Sequence, residues 1–205
     1  MKGKYITAFF DILGTKYKVK TGKFTDCESL DFSNTACLMA KKFPSINVSI
    51  FSDSIIVFCT KAHLNHILDT ITFLYQSWFG DLILVRGGVA YGELTHITSP
   101  ELDDNFKNLK NLSLTRIYGK SLVDAVQTEK KSGPGAMCFM HSSMRSIIPE
   151  HYRGKGPVEF INWLTPQENN WIFEYCENML EQSQNAKEKK HLKATLYLFK
   201  NNLKS

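Results

Sequence analysis

Cysteine is scarce and unpatterned. The five residues, Cys27, Cys37, Cys59, Cys138 and Cys176, are an odd number and contain no Cys-x-x-Cys pair. That spacing gives no zinc or disulfide framework and points to free thiols in a reducing compartment. Long apolar runs are also missing. No stretch approaches the roughly 18 apolar residues that a membrane-spanning helix needs. The short N-terminal apolar run is broken by Asp11 and lacks the small-residue cleavage site of a signal peptide. The expectation is a soluble, cytoplasmic protein with no membrane insertion. Charge of one sign is missing from most of the chain. Lys and Arg outnumber Asp and Glu by 25 to 20, but residues 184–205 hold six lysines and one acid, which accounts for the whole excess of +5. A chain that is neutral over residues 1–183 and has no aromatic RNP-like strand is not expected to bind nucleic acid. Internal repeats and low-complexity tracts are absent as well.

What is present is ordinary globular material, 205 residues with 43% apolar and 12% aromatic content, the length of one domain. The segment Tyr5–Ile12 is β-branched and aromatic and reads as a buried first strand. A polar, lysine-rich stretch follows, with Lys16, Lys18, Lys20 and Lys23. The pattern predicts a helix over Glu28–Phe43, stopped by Pro44. Strands at Ile46–Phe51 and Ile55–Thr60 flank Ser52-Asp53-Ser54 and make a hairpin. The broad stripe of Leu64, Ile67, Leu68, Ile71, Leu74, Tyr75 and Trp78 predicts an amphipathic helix. Leu82–Leu94 reads as a long strand with internal glycines, where another backbone or a ligand approaches closely. Residues 95–114 read as a polar loop, followed by a helix over Gly119–Lys130. Further strands are expected at Ala136–Met140 and Val158–Trp163, with His63 and His66 at the surface and Trp163 and Trp171 in the core. The C-terminal third reads as helix in two pieces, the last with Leu192, Leu196, Phe199 and Leu203 on one face and lysines on the other, a packing or dimer-supporting element.

This order, a hairpin set between two helices, predicts an α+β fold with the split βαββαβ topology of ferredoxin-like sandwiches. In that topology the first strand and the hairpin are central neighbours, so Asp11 and Asp53 approach each other at one end of the sheet. Alone, Asp53 reads as turn chemistry and Asp11 as a cap for the turn after it. Together, two carboxylates repel, and one takes up a proton or both bind a cation. Mg²⁺ suits such a pair, because it takes one or two carboxylates and completes its shell with water and phosphate oxygens. Two such ions serve in-line phosphoryl displacement, and Gly14 lets backbone amides face a phosphate.

Four segments, FFDILGTK (residues 9–16), FSDSIIVF (51–58), VRGGVAYGEL (85–94) and IYGKSLVDAVQTEK (117–130), resemble in order the signature segments of class III nucleotidyl cyclases. More narrowly, their S-D-S, R-G-G-x-x-x-G-E and G-x-x-L-V-x-A-x-x-x-E patterns resemble the pyrimidine cyclases of Pycsar antiphage defence. The tail KEKKHLKATLYLFKNNL (187–203) resembles the basic-aromatic C-terminal helix of those proteins. The resemblance implies a cyclase-like catalytic domain over residues 1–150 and a C-terminal helical extension over 151–205 packed on the same domain. It implies two Mg²⁺ or Mn²⁺ ions on Asp11, Asp53 and the Ile12 carbonyl. Leu13, Gly14 and Thr15 would present amides to the β- and γ-phosphates, with Lys16 neutralising the triphosphate unless it is a solvated surface charge. Arg86 would orient phosphate or hold a structural ion pair. Ser49 and Arg116 occupy the two base-reading positions of the family and carry neither purine reader. The family's ribose-binding Asn and transition-state Arg fall here on Val123 and Gln127, and Ala136–Phe139 has no arginine. Lys120, Lys130 and Lys131 are candidate substitutes.

The function so implied is conversion of UTP or CTP to cUMP or cCMP and pyrophosphate. The enzyme would be a homodimer with active sites at the subunit interface, and its product a second messenger for a separate antiviral effector. The alternatives are a purine (adenylate or guanylate) cyclase and a degenerate cyclase-like domain that binds nucleotide without turnover.

Overall fold

A computed structural model describes residues 2–98, 115–164, 169–183 and 185–202. The chain opens with β1 (Lys2–Ile12), the short helix α1 (Thr15–Lys20), α2 (Asp26–Lys42) and the hairpin β2 (Asn47–Phe51) and β3 (Ser54–Thr60). Helix α3 (Leu64–Gly80) leads to β4 (Val85–Thr98), β5 (Thr115–Tyr118) and α4 (Lys120–Lys131). Short strands β6 (Cys138–Met140), β7 (Arg153–Gly154) and β8 (Phe160–Ile161) precede α5 (Asn169–Gln182) and α6 (Ala186–Asn202). The sheet runs β2-β3-β1-β4-β6-β8-β7, with β5 hydrogen-bonded to β4. The β2-β3-β1-β4 core with helices between its strands is the expected split βαββαβ arrangement.

Alternation along β1 decides the layers. Ile6, Ala8, Phe10 and Ile12 point to one face, where they share an apolar cluster with Phe32 and Met39 of α2 and Ile67, Ile71 and Trp78 of α3. Period-2 strand and period-3.6 helix stripes meet there and bury each other. Helix α2 starts where Thr25 accepts the Glu28 amide at 3.1 Å, an N-cap followed by the acids Asp26 and Glu28. The other face of β1 carries Tyr5, Thr7, Phe9 and Asp11 and is covered by α4. There Thr7 and Ser121 share a hydrogen bond of 2.8 Å, and Tyr5, Phe58 and Leu94 pack with Leu122. Gly88 makes this docking possible: a Cβ there would lie 2.1 Å from the Ala125 carbonyl oxygen.

Several elements differ from the sequence expectation. Residues 15–20 form a helix turn with no buried residue, so no apolar period announced it. Strand β4 begins at Val85 and not at Leu82, whose φ of 61° breaks the extended run. It then continues through Thr95–Thr98, which pairs with Thr115–Tyr118 as a hairpin arm where a polar loop was expected. The remainder of that loop, 99–114, lies outside the described residues, as do Gln167 and Leu203 of the expected C-terminal helices. The expected strand Val158–Trp163 shrinks to Phe160–Ile161. Trp163 is buried as expected, but Trp171 is exposed. His63 and His66 are half-buried, with His66 stacked on Phe43 at 4.6 Å. The C-terminal helices share the main apolar cluster: Leu192, Leu196 and Phe199 of α6 pack with Phe79 and Trp163. No helix among the described residues is long and apolar enough to cross a membrane.

Candidate active site

Both aspartates line one cavity of about 630 Å³ at the end of the sheet, a volume suited to a small-molecule ligand. The register sets them there. Asp11 lies opposite Ser54 on β3 and Arg86 on β4. The Ile12 amide donates to the Asp53 carbonyl at 3.0 Å, which ties the hairpin tip to the end of β1. The tip is tight: Ser52 takes a left-handed φ of 51°, uncommon for a residue with a Cβ, and turns the chain so that Asp53 faces the cavity that Asp11 shares.

The Asp11 carboxyl is half-buried, and its Oδ1 accepts from Ser54 Oγ at 2.8 Å. Burial raises its pKa above the ordinary carboxylate value, and the negative charges of Asp53 and Glu129 add to that rise. The Ser54 hydrogen bond and Arg86 oppose it. A carboxylate held in this state gains from a cation. No cluster of three or more His, Cys, Asp and Glu side chains placed for a metal occurs among the described residues. A divalent ion here would therefore take oxygens from Asp11, Asp53 and the Ile12 carbonyl and fill its shell with water and phosphate. Hard oxygen donors in that number fit Mg²⁺ or Mn²⁺.

The loop after Asp11 forms the cavity's floor. Gly14 has φ 85°, a conformation that favours glycine, and its carbonyl accepts the amides of Tyr17 and Lys18 at 2.9 Å as α1 begins. Thr15 Oγ1 donates to the Ile12 carbonyl at 3.1 Å. Leu13 departs from the sequence expectation, because its amide is spent on the Leu84 carbonyl at 2.8 Å and is not offered to a phosphate. The amides of Gly14, Thr15 and Lys16 stand at the start of a helix, where N–H groups lack intrahelical partners. Lys16, Lys20 and Lys23 line the cavity, as does Lys18, whose ammonium is bonded to Glu28 at 2.5 Å.

Of the two readings of Arg86, the structure shows the ion pair. Its Nε donates to Glu129 Oε1 at 2.5 Å, a second nitrogen contacts the same carboxylate, and Nη1 reaches the Gly133 carbonyl at 3.4 Å. Glu129 is buried, so this pair pins α4 to β4. Arg86 is not in the cavity lining. Ser49 sits half-buried on β2 opposite Ile56, and Arg116 is exposed on β5 opposite Ile97. Neither reaches the cavity of its own chain. The candidate substitute cations lie elsewhere too: Lys120 is bonded to Asp124 at 2.5 Å, and Lys130 and Lys131 are exposed.

Sequence reasoning missed the cavity's second wall. Asn185 and three residues of α6, Lys187, Glu188 and His191, line it beside Asp11 and the Gly14 loop. His191 Nδ1 accepts the Gly135 amide at 3.1 Å, and Thr195 Oγ1 accepts the Ala136 amide at 2.8 Å. Burial, with Arg86, Lys187 and Lys190 nearby, lowers the His191 pKa to about 4. The usable signal was the 187–191 spacing, which sets both residues on one helix face.

The fold is that of class III adenylyl and guanylyl cyclase catalytic domains. A bacterial light-regulated adenylyl cyclase aligns with a TM-score of 0.57 at 12% identity, covering 87% of this chain and 98% of that one. The guanylate cyclase domain of RhGC from Catenaria anguillulae, in complex with GTP, gives 0.56 at 15% identity over 79% of this chain and 98% of that one. The dimeric guanylyl cyclase domain of the RhoGC fusion protein from the aquatic fungus Blastocladiella emersonii gives 0.56 at 11% identity over 78% and 97%. No family model and no curated protein matches the chain.

Proposed function

We propose that this chain is a nucleotidyl cyclase, converting a nucleoside triphosphate to its 3′,5′-cyclic monophosphate and pyrophosphate. The observation that carries the reading is the placement of Asp11 and Asp53 on one cavity beside a glycine-turned, lysine-lined loop. The shared fold of adenylyl and guanylyl cyclase domains supports it. In this reading Asp11, Asp53 and the Ile12 carbonyl hold two Mg²⁺ or Mn²⁺ ions. Bound there, the ions would favour ionisation of the ribose 3′-hydroxyl and offset charge on the α-phosphate. The chain's own work is positioning. The amides of Gly14 and Thr15 and the ammonium of Lys16 hold the β- and γ-phosphates so that the α–β bridging oxygen lies in line with the attacking 3′-oxygen. The 3′-oxygen bonds to the α-phosphorus as the bridging bond breaks. Pyrophosphate leaves, and the hydroxyl proton passes to solvent.

The substrate we infer is UTP or CTP. Ser49 is small, and Arg116 offers only donors, which suit the O2 acceptor of either pyrimidine or the O4 acceptor of uracil. Because neither lines the cavity of its own chain, the reading places them across a homodimer interface, which the exposed apolar side chains Tyr118 and Val123 of β5 and α4 would help to form. The cyclic product then serves a separate effector in antiviral defence. A purine substrate is the second reading, favoured by the adenylyl and guanylyl cyclases among the structural neighbours. Incubating the purified protein with Mn²⁺ and each of the four ribonucleoside triphosphates, with mass spectrometry of the products, decides between them. cUMP or cCMP is expected. cAMP or cGMP would move the assignment to the purine reading, and no cyclic product from any substrate would overturn the activity.

A further inference from the structure

A polyphosphate brings several negative charges beside two aspartates, so the cavity must supply cations, and one of its walls does so in an unexpected way. Lys187 reaches the cavity from α6, more than 170 positions along the chain from the Gly14 loop. Its placement is enforced. The Gly135 amide to His191 and the Ala136 amide to Thr195 clamp successive turns of α6 to the segment entering β6. That segment is itself held to β4 by the Gly87 amide on the Met137 carbonyl at 2.9 Å. Position 187 lies one turn before His191, on the same face. The first turn is set as well: the Lys187 amide donates to Asn185 Oδ1 at 2.9 Å, and Glu188 Oε2 accepts from Ser183 Oγ at 2.7 Å. Of the other cations nearby, Lys18 is engaged by Glu28 and Arg86 by Glu129, while Lys16, Lys20 and Lys23 line the cavity from the side of the Gly14 loop. The His191 ring adds a donor of a different kind. With Nδ1 accepting from Gly135, its proton sits on Nε2, and the ring lines the same cavity.

We propose that α6 completes the polyphosphate site, with Lys187 as a phosphate-binding cation and His191 as the residue that positions it and offers an uncharged N–H. This rests on the cyclase reading for the nature of the substrate, but the binding it describes can be measured without turnover. Inorganic tripolyphosphate with Mg²⁺ is titrated calorimetrically into the full chain. Lys187→Ala is expected to weaken binding about tenfold, the scale of one charge-assisted hydrogen bond. Lys187→Arg should keep it within about threefold, and Lys193→Ala, on the exposed side of α6, should leave it unchanged. Lys187 is exposed, and a melting curve for each variant confirms the fold. Equal affinity for the wild type and Lys187→Ala overturns the proposal, as does a wild type that binds no tripolyphosphate. Binding that depends on Lys187 in a protein that cyclises no nucleotide sustains this proposal and removes the proposed activity. A fully active enzyme whose tripolyphosphate affinity ignores Lys187 does the reverse.

Discussion

Asp11 carries a cost that its neighbours only partly relieve. Burial and the charges of Asp53 and Glu129 raise its pKa, so the folded protein binds a proton at this site more readily than the unfolded chain does. That penalty is absent below the unfolded carboxylate pKa and fully present above the raised folded one, so above that folded value the ionised side chain destabilises the metal-free protein. Asp11→Asn keeps the acceptor for Ser54 and loses the charge. Thermal denaturation without divalent ions is expected to give it a higher Tm than the wild type, while Mn²⁺ should raise the Tm of the wild type and not of the variant. A lower metal-free Tm would contradict this account. Arg86 behaves in the opposite sense. Its removal leaves Glu129 charged and buried, a loss of about 3–5 kcal/mol on the scale of broken buried pairs. Urea denaturation should show that loss for Arg86→Ala and recovery of most of it in Arg86→Met/Glu129→Gln. A stable Arg86→Ala would point back to a phosphate-binding role.

At the scale of elements, the legible parts were those whose pattern repeats. The stripe of α3 and the apolar, β-branched and aromatic runs of β1 and β3 announced themselves because each is buried along most of its length. Helix α1 and strand β5 did not, because α1 buries nothing and β5 is mostly exposed, so neither selects for a hydrophobic period. The hairpin that carries Asp53 was legible from its two apolar strands, whereas the Leu13 amide's commitment to Leu84 depends on a contact some seventy residues away. Helix α6 is the instructive case. Its apolar face could be read, but a helical pattern says nothing of which surface it meets, and a lysine face reads as solvated until Lys187 is seen on the cavity. The clamp through His191 has a pH signature. With a folded pKa of about 4 against an unfolded value of 6.5, the neutral ring contributes stability above pH 6.5 that is lost as the pH falls towards 4. The slope is at most about 1.4 kcal/mol per pH unit. The Tm of the wild type should fall more steeply over that range than that of His191→Gln. Parallel profiles would mean that the histidine is not held neutral.

For the whole molecule, the charge distribution takes on a different meaning. The lysines that give the chain its +5 are confined to the C-terminal segment, yet that segment folds back on the domain and places part of its charge against the cavity of Asp11 and Asp53. A neutral body with a locally basic pocket is the electrostatics of a small polyanion site, unlike the broad basic surface that a polymer requires. The central claim is that the two aspartates together support metal-dependent phosphoryl transfer. It is tested most directly by following cyclic nucleotide and pyrophosphate released by the wild type and by Asp53→Ala, each with and without Mn²⁺. The account predicts equal amounts of the two products from the wild type with Mn²⁺, and none from the wild type without the ion or from Asp53→Ala. Undiminished product from Asp53→Ala, or turnover indifferent to the metal, would contradict it.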